Sequence, residues 1–317
     1  MAKIDVTELD IFYISYDEPN CEEHWADLLN KVPWAKRVHG VKGFDKAHKT
    51  AAEQSETERF ITVDGDNIVM DDFFEQVLEV PDTDHDGNNI SESIFSWNAK
   101  NILNGLVYGN GGLKCWPTEY TKTINTHEAA TDGEGMEFCW KLNYIQLNDT
   151  FSEVHQTASP FQAFRAGFRE GVKMSLDEGA RVRADEFKQK IWWQNYNRLQ
   201  TWCNIGSDVD NGLWAIYGAR LGCDMTVLSD WDTNQISDFE WFKEFFDSEV
   251  TPVEDNLYNA VCDLGKKLNS EINEMMLFDP SVEMSKFFKQ TYVNPKRWGV
   301  MIREKQIQDL LEKGLIQ

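Results

Sequence analysis

No apolar run in this sequence approaches the ~20 residues that a bilayer-crossing helix needs. The closest, Gly212 to Cys223, is interrupted by Arg220, so no membrane partner is expected. The opening residues, MAKIDVTELD, lack the basic-then-apolar pattern of a secretory leader. The six cysteines (21, 115, 139, 203, 223 and 262) contain no Cys-x-x-Cys pair. They read as reduced, mostly buried thiols rather than a disulfide framework. A cytoplasmic protein is the expectation. Lys and Arg are absent from 61–99, and the 317-residue chain carries a formal net charge of −23. That balance disfavours loose binding to nucleic acid, which is driven by phosphate neutralisation, but leaves room for a local basic groove. Residues 161–200 hold Arg165, Arg169, Lys173, Arg181, Arg183, Lys188, Lys190 and Arg198 against five acids. These cations suit either a solvated helix face or a surface turned to a polyanion. The chain has no internal repeat and no low-complexity segment.

What is present points first to Arg59–Val69, RFITVDGDNIV. The apolar strand Phe60-Ile61-Thr62-Val63 runs directly into Asp64-Gly65-Asp66. Two carboxylates at the end of a buried strand put hard oxygen donors at the carboxyl edge of a sheet, where open α/β sheets bind ligands. Mg²⁺ and Mn²⁺ take such donors and share themselves with substrate phosphates. Asp-x-Asp also occurs at Asp82/Asp84, Asp84/Asp86, Asp208/Asp210 and Asp230/Asp232, but only Asp64/Asp66 follows a β-rich apolar run. The expected site is therefore a divalent cation held by Asp64 and Asp66 that carries a nucleotide diphosphate. The alternative is a plain acidic turn.

Around this strand the pattern alternates. Leu9–Tyr16 reads as a buried first strand and Glu22–Lys31 as a helix stopped by Pro33. Lys36–Val41 reads as a strand, about 45–55 as a helix, and Asp71–Glu79 as a short helix. Short β-α-β-α-β connections predict a mainly parallel α/β sheet flanked by helices. Asp82–Ile94 is an acidic loop whose PDTDHDGNN starts like a calcium loop. The match fails downstream, with Asn89 and Ser93 where an apolar residue and a Glu belong. Ile94–Lys100 reads as a strand at a sheet edge, and Tyr108–Gly112 as a glycine loop before another strand. Thr157–Leu176 predicts a helix with Ser159 as N-cap, Pro160 at its first position and a Phe161, Phe164, Phe168, Val172 stripe for the core. Beyond about 180 the pattern is mostly helical. The expected division is 1–178 for an α/β catalytic domain and 179–317 for a helical region suited to acceptor binding.

The order of these features resembles that of nucleotide-sugar glycosyltransferases of the GT-A fold, family-2-like, over roughly residues 8–175. FYISYDEPN looks like their donor-binding strand and turn, and Gly43–Lys49 before an Ala-rich helix looks like their second donor segment. DGD stands where they carry the metal-binding Asp-x-Asp motif. Gly111-Gly112-Leu113-Lys114 resembles the glycine pair opening their acceptor-side strand. Gly135–Lys141 resembles the segment with their catalytic acid, although Glu137-Phe138 stands where Glu-Asp is frequent. Tyr144–His155 resembles a strand ending in a metal-binding His. The whole chain also resembles glycosyltransferase-like proteins of large tailed phages; several such phages carry sugar on hydroxymethylated cytosines in their DNA, added by transferases of related kind.

The resemblance implies a divalent metal (Mn²⁺ or Mg²⁺), a nucleotide-diphosphate sugar such as a UDP-sugar as donor, and DNA as acceptor through arabinosyl or glucosyl transfer. Asp66 becomes the primary metal ligand, Asp64 a metal or ribose contact, and His155 the third ligand, with His127 as its rival. An inverting reaction needs a base at the acceptor hydroxyl: Glu137 first, Glu128 second. Tyr16 and Asp17 fall near the nucleoside, and Lys42 and His48 nearer the diphosphate. Trp97, Asn98, Asn110, Gly111 and Gly112 fall near the sugar or acceptor; a core role suits Trp97 equally. For DNA, Trp192-Trp193-Gln194-Asn195-Tyr196 beside the basic residues is the candidate grip, or a helix-packing core. The rivals are a sugar nucleotidyltransferase, for which no Gly-rich phosphate loop is found before residue 40, and a non-enzymatic phage interaction protein.

Overall fold

The computed structural model describes residues 2–80, 82–83, 87, 90, 92–109, 112–126, 142–293 and 301–316. The fold is α/β, and the chain divides into two compact units. The first comprises 1–101 and 107–155; the second comprises 102–106 and 156–317.

The first unit opens with β1 (Ala2–Asp5), β2 (Asp10–Ser15), α1 (Cys21–Lys31), β3 (Lys36–His39), α2 (Phe44–Gln54) and β4 (Arg59–Asp64). It continues with β5 (Asn67–Val69), β6 (Val77–Val80), β7 (Ile94–Asn101), β8 (Val107–Tyr108), β9 (Leu113–Pro117), α3 (Thr118–Thr121) and β10 (Tyr144–Val154). The main sheet runs β3-β2-β4-β9-β7-β10-β5, with β8 beside β7. Strands β3, β2 and β4 are parallel, as are β7 and β10. β9 lies antiparallel to both β4 and β7, and β5 antiparallel to β10. The sheet is thus mixed, where the β-α-β-α-β pattern predicted a mainly parallel one. The alternation accounts for β2, β3 and β4; β9 follows no crossover helix, and its direction carries no signal in the residues.

Side chains alternate across the sheet. Ile11, Tyr13, Ile61, Val63, Leu113 and Cys115 share one buried cluster with Cys21 and Leu28 of α1. Phe12, Phe60 and Trp116 share the other with Ala47, Ala51 and Ala52 of α2. The strands therefore read as nearly continuous apolar runs because helices cover both faces. Two expected elements differ. Asp71–Glu79, read as a helix, is a 3₁₀ turn at Asp71–Glu75 followed by β6, which pairs with β1. Ile94–Lys100, read as an edge strand, is β7 with β9 on one side and β10 on the other. Only Gly65 and Asp66 separate β4 from β5, yet three strands stand between them in the sheet order. So short a link forces the sheet to curl until its edge strand returns to the end of β4.

The second unit is helical. After α4 (Pro160–Lys173) and the small hairpin of β11 (Leu176–Asp177) and β12 (Ala180–Arg181) come α5 (Phe187–Lys190), α6 (Trp193–Asn204) and α7 (Gly212–Leu228). Then follow α8 (Phe239–Phe245), α9 (Leu257–Glu271), α10 (Val282–Tyr292) and α11 (Glu304–Glu312). Ser159 caps α4 by accepting from the Gln162 N–H, with Pro160 at the first helical position. Helix α4, placed by the sequence pattern in the first domain, packs along α7 through its Phe164 and Phe168 face. Helix α7 is buried nearly all round and includes Arg220, whose guanidinium donates to the carbonyls of Cys203, Val261 and Phe278. Those bonds explain how an arginine interrupts the most apolar run of the chain. No helix among the described residues is long and apolar enough to cross a membrane.

Candidate functional site

The Asp64-Gly65-Asp66 turn lies where the sheet closes on itself. The Asp64 N–H donates to Gly112 O at 3.1 Å, and the His155 N–H donates to Asp66 O at 2.7 Å. The turn is therefore pinned between the start of β9 and the end of β10. Gly112 is required there: a Cβ would overlap Asp64 Cβ and come within 2.5 Å of Asn67 Nδ2. At Gly65 a Cβ would come 2.7 Å from Glu18 Oε2, so Glu18 would have to shift. The Gly65 carbonyl accepts from Tyr13 Oη at 2.7 Å and from His24 Nδ1 at 3.1 Å. Asn20 Nδ2 donates to His155 O at 2.9 Å and lies 3.3 Å from His24 Nε2. With Nε2 accepting, the His24 proton sits on Nδ1, and the ring is neutral because burial pushes its pKa down. Asn20, Tyr13, His24 and His155 together hold the turn in one geometry.

Three carboxylates lie near enough to Gly65 for Glu18 to feel the charges of Asp64 and Asp66. Glu18 packs on Gly65 and accepts from the Tyr16 N–H at 2.8 Å. Burial first, then the negative charges of Asp66 and Asp64, push the Glu18 pKa up. Burial also raises the Asp64 pKa, opposed by Lys114, whose Nζ lies 3.9 Å from Asp64 Oδ2. Yet 40% of the Asp64 side chain is open to solvent. Asp66 Oδ1 accepts from Asn67 Nδ2 at 2.7 Å, while the buried Asn67 Oδ1 has no partner among the described residues. Like charges held together in a partly desolvated place call for a cation.

Among the described residues, no three His, Cys, Asp or Glu side chains converge as a complete ligand set. His155, the expected third ligand, is brought to the turn by its backbone. Its Nε2, however, lies 3.5 Å from Glu153 Oε2. Glu153 also accepts from Lys100 Nζ at 2.9 Å, and its pKa is held down at about 2, first by His155. Mg²⁺ and Mn²⁺ are commonly held through one or two carboxylates and completed by phosphates and water. Asp64 and Asp66, with the carbonyl of the Asn67 amide beside them, fit that shared mode rather than an all-protein cage.

The other candidates divide between that sheet edge and the core. Tyr16 and Asp17 are exposed just past β2, and Lys42 is exposed before α2. His48, expected near the diphosphate, is a core residue. Its ring lies between Phe44 and Trp116 with centroids 4.1 and 4.5 Å away, and Nδ1 donates to Phe44 O at 2.9 Å. Burial lowers its pKa to about 3. Trp97 is 1% exposed and packs edge-on against Phe73, so it takes the core role. Asn98 is fully buried, donating to Asn148 O and accepting from Gln146 Nε2. Glu137, Glu128, His127, Asn110, Gly111, Asp84 and Asp86 lie outside the described residues.

The basic stretch is largely engaged within its own unit. Arg165 lies over Phe239 and Phe242, Arg169 donates to Ile236 O, and Arg181 donates to Thr226 O, Ser229 O and Trp231 O. Arg183 pairs with Asp185, and Lys188 with Glu274. Trp192 and Trp193 are half exposed, with Arg198 and Arg303 over their rings. Glu18, His24 and Lys114 were not singled out as site residues by sequence reasoning. Lys114 left a signal: an ionisable residue inside the buried strand LKCWP needs a partner.

The neutral burial of His48 makes stability pH-dependent. The folded ring binds no proton until about pH 3, whereas the unfolded one binds it near 6.5. Unfolding is then favoured as pH falls through that window, by roughly 5 kcal/mol at its end. We expect His48→Phe to remove about one proton's worth of slope, ~1.4 kcal/mol per pH unit, from denaturant-derived stability between pH 6 and 4. An unchanged slope would mean that His48 is already charged or exposed.

No family model, curated protein or solved structure matches the chain.

Proposed function

We propose that this protein is a metal-dependent glycosyltransferase that moves a sugar from a nucleotide-diphosphate donor to a hydroxyl acceptor, on a GT-A-like first unit. The observation that carries this reading is the Asp64-Gly65-Asp66 turn, pinned at the closing end of β4 with the Asp64 carboxylate partly open to solvent. When bound, Mn²⁺ or Mg²⁺ would neutralise charge on the departing diphosphate. Asp66 and Asp64 would hold that cation. Tyr13, His24 and Asn20 fix the turn that aims them, so no reorganisation is needed at the moment of reaction. Tyr16 and Asp17, exposed at the same strand-end region, supply contacts for the nucleoside. Glu137 takes the proton of the acceptor hydroxyl in an inverting reaction, with Glu128 as the alternative base. His155 serves to position the turn through its backbone, and its Nε2 lies 3.5 Å from Glu153 Oε2.

For the acceptor we propose hydroxymethylated cytosine in DNA, resting on the resemblance to phage enzymes. The acidic balance of the chain means that such binding is local and salt-sensitive.

The direct test is incubation with a panel of UDP- and GDP-sugars and Mn²⁺, measuring free nucleoside diphosphate, with and without hydroxymethylated and plain DNA. We expect metal-dependent donor hydrolysis that hydroxymethylated DNA accelerates. Silence with every donor removes the glycosyltransferase; hydrolysis with no sugar on either DNA removes only the acceptor.

A further inference from the structure

Lys114 is a charged residue in the middle of a central strand. It stands opposite Thr62 of β4 on one side and Ser96 of β7 on the other, so the three side chains share a sheet face. Lys114 is 5% exposed. Asp64 lies one pleat further along that face, and its Oδ2 is 3.9 Å from Lys114 Nζ. That is closer than screening operates and longer than a tight ion pair. Neighbouring His48 is neutral and buried, and the buried Ser96 hydroxyl has no partner among the described residues. Thus one carboxylate of the aspartate pair already faces a built-in monovalent cation on a buried position of a central strand.

Resting on the metal–diphosphate reading above, we propose that Lys114 is a fixed competitor for the Asp64 carboxylate, so that the site accepts a divalent cation only together with a polyanion. A bare divalent cation on Asp64 meets an ammonium held in poorly screened surroundings, and like charges there repel strongly. A diphosphate arriving with the cation changes the sign of that encounter. Its oxygens carry negative charge that attracts both the metal and the Lys114 ammonium. Lys114 then opposes the metal alone and favours the metal–nucleotide complex. This excludes free metal from an acidic protein that would otherwise collect it, and it makes loading depend on the donor.

The test uses the full-length protein, MnCl₂ alone and MnCl₂ with UDP. Free Mn²⁺ is counted by its electron paramagnetic resonance signal, and nucleotide binding is followed by calorimetry. The wild type is expected to bind Mn²⁺ weakly alone and at least a hundredfold more tightly with UDP. Lys114→Met is expected to bind Mn²⁺ alone at least tenfold more tightly and to lose at least tenfold of the UDP enhancement. Lys114→Arg, which keeps the charge, should behave like the wild type, and adding Asp64→Asn to Lys114→Met should abolish the gain. If Lys114→Met does not fold, Lys114→Gln provides the same contrast. Lys114→Met with unchanged or weaker affinity for Mn²⁺ alone overturns the proposal while leaving the metal–nucleotide site standing. Failure of Mn²⁺ with UDP to bind to either protein overturns that site reading and this inference with it.

Discussion

Asp66→Ala should lower Mn²⁺-dependent release of nucleoside diphosphate by about a thousandfold while leaving the unfolding midpoint close to that of the native chain. A metal that stabilises charge on a departing phosphate contributes several kcal/mol, and about 4 kcal/mol is a factor of 10³. The fold should tolerate the change because Asp66 holds the sheet seam through its main chain: its carbonyl, not its carboxylate, accepts from the His155 N–H. Removing the carboxylate forfeits the bond from Asn67 Nδ2, ~1 kcal/mol, but also relieves the repulsion felt by Glu18. These terms oppose one another. Asp64→Ala is the sterner variant for stability, because it leaves the buried Lys114 beside an apolar methyl. Activity within tenfold of the native level in Asp66→Ala would falsify the assignment, and a collapsed midpoint would show that the carboxylate holds the turn after all.

The part of the candidate site that is contiguous in the chain was legible as a strand and turn. FITV reads as a buried strand, two aspartates follow it, and the structure puts them at the end of β4. What surrounds them was not legible, because it arrives from far along the chain. His24 reaches Gly65 from 41 positions away, and His155 reaches Asp66 only because β10 pairs with β5. No local pattern announces that pairing. His48 shows a different limit. It sits on an amphipathic helix next to a lysine-rich turn, and composition alone suits a phosphate contact. The register of α2 over β4 and β9 decides otherwise, turning the ring onto Trp116. The β2-α1-β3-α2-β4 alternation was visible as period and breaker residues, while the direction of β9 was not, since a strand looks the same read either way. Net charge along the chain counts Arg165, Arg169 and Arg181 alike, whereas only the fold shows the contacts that engage them inside the second unit.

The stability of that second unit should hinge on glycines that the aromatic stripe conceals. Gly167 and Gly171 on α4 face Ala215 and Ala219 on α7, while Gly218 and Gly222 on α7 face Phe164 and Phe168 on α4. A Cβ at any of the four would overlap a backbone carbonyl of the other helix, so the two backbones are in contact and no rotamer change relieves the clash. Glycine inside a helix normally costs ~1 kcal/mol relative to alanine, and on propensity alone Gly167→Ala would stabilise. Here the helices must separate, which loosens the packing of Phe164 and Phe168, both fully buried. Overpacking of this kind costs about 1–3 kcal/mol and more when backbone moves, so we expect a net loss of about 2 kcal/mol, read as a lower denaturant midpoint with an unchanged slope. Because one displacement of α7 makes room for both methyls, Gly167→Ala combined with Gly171→Ala should cost less than the sum of the two, by more than ~0.5 kcal/mol. A gain in stability from Gly167→Ala would mean that the helices are not in backbone contact, and strict additivity would mean that each glycine answers to a separate local clash.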